Sequence, residues 1–226
     1  MSESASAYET RGLRLVAVLL GLTAVSGLID AVSYLGVGHV FTANMTGNVV
    51  VLGFAAAGAP GFSVPHTATS LACFLLGAIT GGRASRWRPE GSRRTRARLL
   101  LAAEAVLVGG AALTAFLVPH GTATDYAVIA LTAIAMGLRN ATVRKLDVAG
   151  LTTTTVLTMT LTGLAADSRA GGGSGRRSPR RSGAVVAMAA GACLGAWLVL
   201  HHGLALPLLV AAVAVGVLAV VASGRE

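Results

Sequence analysis

Six stretches of this chain, residues 13–34, 66–82, 99–118, 122–138, 184–200 and 204–222, are apolar over the length a helix needs to cross a bilayer. A hydrocarbon core about 30 Å thick takes roughly 20 helical residues, with a range of about 17 to 25. In a chain of 226 residues that is 54% hydrophobic and 12% charged, with a mean hydropathy of +0.73, too little polar surface remains to coat a soluble globule. The pattern reads as an all-α polytopic membrane protein whose first partner is the lipid bilayer.

The formal charge of +9 and pI near 11.2 point away from nucleic acid once the cations are located. All 18 basic residues fall into five places: Arg11 and Arg14, the seven arginines of 83–98, then Arg139, Arg144 and Lys145, the five arginines of 169–181, and Arg225. A nucleic-acid surface would spread them along a face, whereas short interhelical clusters mark loops held inside by the positive-inside rule. Residues 1–12 are polar and too long for the head of a signal peptide, so the apolar run after them reads as a retained first helix.

Two further stretches, 40–58 and 151–166, are apolar overall but studded with polar groups, TANMTGN in the first and TTTTVLTMTLT in the second. If both crossed, the eight spans would place basic clusters on opposite faces. Taken as re-entrant or broken polar helices, they leave six spans, with both termini and the three basic loops on the cytoplasmic side of an inner (plasma) membrane. Irregular backbone at membrane depth is tolerated only inside protein or beside water. Both stretches therefore belong within the bundle.

An internal repeat is visible at an interval of about half the chain. Gly27, Leu28, Asp30 and Ala31 match Gly137, Leu138, Asn140 and Ala141. After a two-residue insertion Thr42, Met45 and Thr46 match Thr154, Leu157 and Thr158, and Gly77-Ala78 is paired with Gly195-Ala196. Each unit holds three spans, an odd number, so the second enters the membrane inverted, as in secondary transporters with a midplane site. The expected organisation is a tail (1–12), a first membrane repeat (13–118, basic loop 83–98), a second (119–222, basic loop 168–183) and a tail (223–226).

The G-x-x-D-A-x-S-Y-L run from Gly27, F-T-A-N-M-T-G-N at 41–48, the later G-L-x-N-A-x-V-R-K-L run and the Thr-rich T-T-V-L-T run resemble the YoaK-type membrane proteins, the DUF1275 family. The resemblance spans nearly the whole chain and implies a bacterial inner-membrane protein of about six helices, with no assigned activity. The chain departs from that pattern at Met159, where Gly is usual, and at Arg139, where Gln is usual. The second departure adds a positive charge beside the second polar element.

Asp30 heads the candidate site, because a carboxylate at a helix centre costs about 2.5–3.5 kcal/mol on the insertion scale and needs a partner. Arg139 or Arg144 could supply it; an ion or proton is the functional alternative, and a cap at a helix end the bland one. Thr42 with Thr46, and Asn44 with Asn48, lie four apart and share helical faces; Thr154 and Thr158 repeat the spacing, and Asn140 mirrors Asp30. Such groups can hold a cation or polar solute, or only bond their own backbone and neighbouring helices. Glu104 is expected to pair with Arg98 or a neighbour. Cys73 and Cys193 read as buried small hydrophobes, and Gly53, Gly58, Gly77, Gly81, Gly191 and Gly195 suit close helix packing.

No phosphate loop, dinucleotide fingerprint, zinc spacing or nucleophile triad stands in the sequence, so no cofactor, metal or catalysis is expected. The sequence points to a small-solute or ion transporter whose site joins the two polar elements. The alternative is a non-transporting scaffold or stress-related assembly protein. A second copy of the chain is an open further partner.

Overall fold

The computed structural model describes residues 2–84, 93–146, 157–175 and 178–222, with side chains at 16–84, 98–144, 157–175 and 178–222. These residues form eight helices and no strand: α1 (Ser2–Gly36), α2 (Met45–Ala56), α3 (Val64–Ala84), α4 (Arg93–Leu117), α5 (Thr122–Leu146), α6 (Leu157–Ala166), α7 (Ser178–His202) and α8 (Ala205–Val221). Five of them, α1, α3, α4, α5 and α7, are long and apolar enough to cross a membrane, and α8 is equally apolar over 17 residues. The two polar stretches hold the short helices α2 and α6.

Four long helices outrun the apolar runs that mark them. The helical backbone of α1 begins at Ser2, α4 at Arg93 and α7 at Ser178, and α5 continues to Leu146. Hydropathy reports which residues meet lipid, whereas a helix continues as long as its backbone bonds are made, so charged turns extend past the slab. Residues 85–92 of the first basic loop and 147–156, including Thr154, lie outside the described residues.

The centre of the bundle is aliphatic. Ile29, Val32, Val108, Ile129, Met136, Leu208 and Val215, from α1, α4, α5 and α8, are fully buried and in one cluster. Within the spanning windows α1 is 67% and α5 61% buried, against 22–28% for α3, α4 and α7, which makes α1 and α5 the central pair. The two touch each other only slightly; each packs instead along another span, α1 on α7 and α5 on α3.

Both of those seams are backbone-to-backbone contacts made through glycine. A Cβ at Gly191 would lie 1.8 Å from the Ala24 carbonyl oxygen, and one at Gly27 2.2 Å from that of Met188. In the other seam a Cβ at Gly77 would lie 2.1 Å from the Ile134 oxygen, and one at Gly137 2.1 Å from that of Phe74. Gly81 against Leu138 and Gly195 against Leu28 complete the correspondence. Gly77 thus plays the part of Gly191, and Gly81 that of Gly195. The sequence pairing of Gly77 with Gly195 was one helical turn out of register, because apolar runs rich in Gly and Ala score almost equally when slid by four residues.

Three other expectations change. Gly53 meets nothing within 4 Å and Gly58, at φ +80°, serves the turn after α2, so neither packs a helix seam. Cys73 is half-buried and Cys193 exposed; on spanning helices they belong to the outer surface. Glu104 is fully buried and pairs with Arg139, not with Arg98.

Candidate functional site

The chain breaks helical geometry between α1 and α2, and three buried side chains satisfy the backbone there. Asp30, 6% exposed, accepts the Thr42 N–H at 3.0 Å and the Ala43 N–H at 2.8 Å through Oδ1. Asn48 faces the Phe41 peptide on both sides: its Oδ1 accepts the Phe41 N–H at 2.8 Å and its Nδ2 donates to the Phe41 carbonyl at 2.6 Å. Ser70 of α3 donates to the same carbonyl at 2.6 Å and accepts from Asn48 Nδ2 at 3.0 Å. Buried backbone must be satisfied within the protein, and these contacts do it.

The rest of the 41–48 motif serves the same break. The Phe41 ring stacks on Tyr34 with centroids 4.7 Å apart. A Cβ at Gly47 would lie 2.8 Å from that ring, so only glycine fits. Asn44 caps α2, its Oδ1 accepting the Gly47 N–H at 3.3 Å. Thr42, fully buried, donates its hydroxyl to Ser33 Oγ at 3.5 Å.

Behind this break lies a cavity of about 360 Å³ between α1 and α5, bordered also by residues of α2 and α6. Asp30, Asn44, Thr46, Asn140 and Thr158 line it, so five of the eight sequence-predicted residues come together, from both halves of the chain. Thr42 and Asn48 stand outside the lining, with their side chains in the framework. Thr154 falls among the residues not described.

Arg139 also reaches the cavity wall and is 3% exposed. Its Nη2 donates to Glu104 Oε1, while Nη1 donates to the Leu22 carbonyl at 2.8 Å and to Ser26 Oγ at 2.7 Å. The guanidinium therefore ties α5 to α4 and to the middle of α1. The sequence offers Arg139 or Arg144, an ion or proton, or a capping role for Asp30, and in the structure Asp30 is answered by backbone N–H groups. Ser26, Ser70 and the Glu104–Arg139 pair were missed as site-building residues. A signal existed: each of Glu104 and Arg139 is an ionisable group deep in a span, and two such groups of opposite sign are expected to find each other.

Among the described residues no group of three or more His, Cys, Asp and Glu side chains is placed to hold a metal ion. What the arrangement offers is polar recognition: one carboxylate, one guanidinium, two amides and four hydroxyls around a space large enough for a small molecule.

A helical chain with these apolar spans, a broken polar helix and a buried ion pair is a multi-pass membrane protein. The model of the family described as "Protein of unknown function (DUF1275)" matches residues 18–221, and the chain belongs to that family. It is 38% identical over 155 residues to the UPF0700 transmembrane protein YoaK of Bacillus subtilis (strain 168). That match covers 66% of this chain and spans 64% of the length of the relative. No solved structure matches the chain.

Proposed function

We propose that this protein is a small-solute or ion transporter of the plasma membrane, built from two inverted repeats, α1–α4 and α5–α8. In this reading α1, α3, α4, α5, α7 and α8 cross the membrane, α2 and α6 are half-membrane elements, and both termini face the cytoplasm. The 17 residues of α8 fit the lower end of the spanning range. The two glycine seams support the repeat, since α1 on α7 and α5 on α3 use corresponding residues.

One observation carries the transport reading: the cavity of about 360 Å³ sits where the two halves meet and takes polar residues from both. Secondary transporters built this way hold substrate at the repeat interface, beside discontinuous helices, and rock one unit against the other around it. Glycine-lined seams without interlocking side chains suit such sliding.

The test is a thermal-shift screen of the detergent-purified protein against ions, amino acids, nucleobases, sugars and organic acids. Any stabilising compound is then followed for uptake into proteoliposomes. A ligand that binds only the folded state raises the melting temperature, and Asn44→Ala should abolish that rise while the protein still folds. If no compound stabilises, and Asn44→Ala merely lowers stability, the polar residues only join helices and the protein is a scaffold.

A further inference from the structure

We infer that the cavity between α1 and α5 takes a small organic cation with N–H donors, a protonated amine; this rests on the transporter reading above and names its substrate class. Two residues of the lining each carry a buried acceptor without a partner, one from each half. Asp30 Oδ2 on α1 and Asn140 Oδ1 on α5 are both buried, and neither has a hydrogen-bond partner among the described residues. A buried polar atom left unmatched costs about 1–3 kcal/mol, more when charged, and its complement is a donor.

The sign of the ligand follows from the charges. Among the described residues, Arg139 and Asp30 are the charged members of the lining, and Arg139 is already committed to Glu104, the Leu22 carbonyl and Ser26. With that ion pair summing to zero, the carboxylate of Asp30 remains without a cationic partner among the described residues. A bound anion would face Asp30 with no uncommitted cation among the described residues of the lining, whereas an ammonium would complement its carboxylate.

Size and polarity exclude the simpler cations as the main occupant. A water molecule takes about 30 Å³ of liquid volume, so about 360 Å³ far exceeds what a dehydrated metal ion fills. Leu19, Leu22, Val50, Val143, Leu157 and Met188 give the wall an apolar part. A hard metal ion gathers oxygens and would leave that surface uncovered, whereas an alkyl body covers it. Asp30 and Asn140 line the same cavity, one from each half, so its occupant meets an acceptor residue on either side.

The experiment uses the full chain in detergent at fixed pH, titrated with methyl-, propyl- and butylammonium chloride beside sodium and potassium chloride and sodium acetate and butyrate. The ammonium series should raise the melting temperature, more with each added methylene, and the salts and carboxylates should not. Asp30→Asn keeps an oxygen for the Thr42 and Ala43 N–H groups but puts an amide NH₂ where Oδ2 stood. It should weaken alkylammonium binding about tenfold or more. Asn140→Asp should tighten binding about tenfold, and the exchange Asp30→Asn/Asn140→Asp should restore it; should Asp30→Asn not fold, Asn140→Asp alone carries the test. Stabilisation by carboxylates or metal chlorides without any by ammonium overturns the protonated amine as substrate class and leaves the transporter reading standing. Silence from every compound, with Asn140→Asp unchanged, overturns both.

Discussion

The two half-sites that meet at the cavity share a frame but solve their electrostatics in opposite ways. On the α1 side a carboxylate, Asp30, satisfies the N–H groups of the break directly, and Asn48 with Ser70 completes the work. On the α5 side the position matching Asp30 is the neutral Asn140, and the charge has moved one residue back to Arg139, which is spent on Glu104 and on α1. The first half is thus held by local contacts within its own α1–α3 segment. The second is held by an ion pair that spans α4 and α5 and reaches into the other half. In the repeat proposed above, the glycine contacts correspond more closely than the chemistry does, and a carboxylate on one side of the cavity stands against an amide on the other.

Breaking the ion pair should have the largest effect. Arg139→Ala leaves Glu104 charged, fully buried and alone, at a cost of about 3–5 kcal/mol. The double replacement Glu104→Gln/Arg139→Met should recover most of it, read by chemical unfolding in detergent. Equal losses from both singles and no recovery in the double would mean that the pair is not a unit.

The seams come next. Gly77→Ala and Gly191→Ala each push a Cβ onto a carbonyl oxygen of the facing helix, and each should destabilise by about 1–3 kcal/mol. Similar penalties at the two positions sharpen the match between halves, and a large penalty at one only would break it. Asn48→Ala strips the Phe41 N–H of its partner and leaves the Phe41 carbonyl to Ser70 alone, for about 1–3 kcal/mol. The smallest effect belongs to Gly53→Ala, where the new methyl meets open space inside a helix. A gain of about 0.4–1 kcal/mol is expected there, and a loss would mean that the exposed face of α2 is covered.

Much of this was legible in the sequence because lipid imposes a simple rule. The long apolar runs, the two short polar elements between them and five cavity residues followed from span length, charge placement and the spacing of Asn and Thr. What escaped was anything decided by a contact between distant segments. Asn48 and Asn44 look alike in a motif, yet one clamps a peptide and the other faces the cavity, and only the path of residues 37–44 separates them. The partner of Glu104 lies 35 residues away on another helix, where proximity in sequence favoured Arg98. The glycine register needed carbonyl positions that no pattern of Gly and Ala encodes.

The central claim is that the cavity is a passage shared by both halves, and thiol accessibility tests it most directly. On a Cys73→Ala/Cys193→Ala background, Thr46→Cys and Thr158→Cys are exposed to a small membrane-impermeant thiol reagent, first from outside intact cells and then from the cytoplasmic face of inverted vesicles. The account predicts that both positions react from both faces, and that propylammonium chloride slows both reactions. Labelling of each from one face only, or of neither, would contradict it.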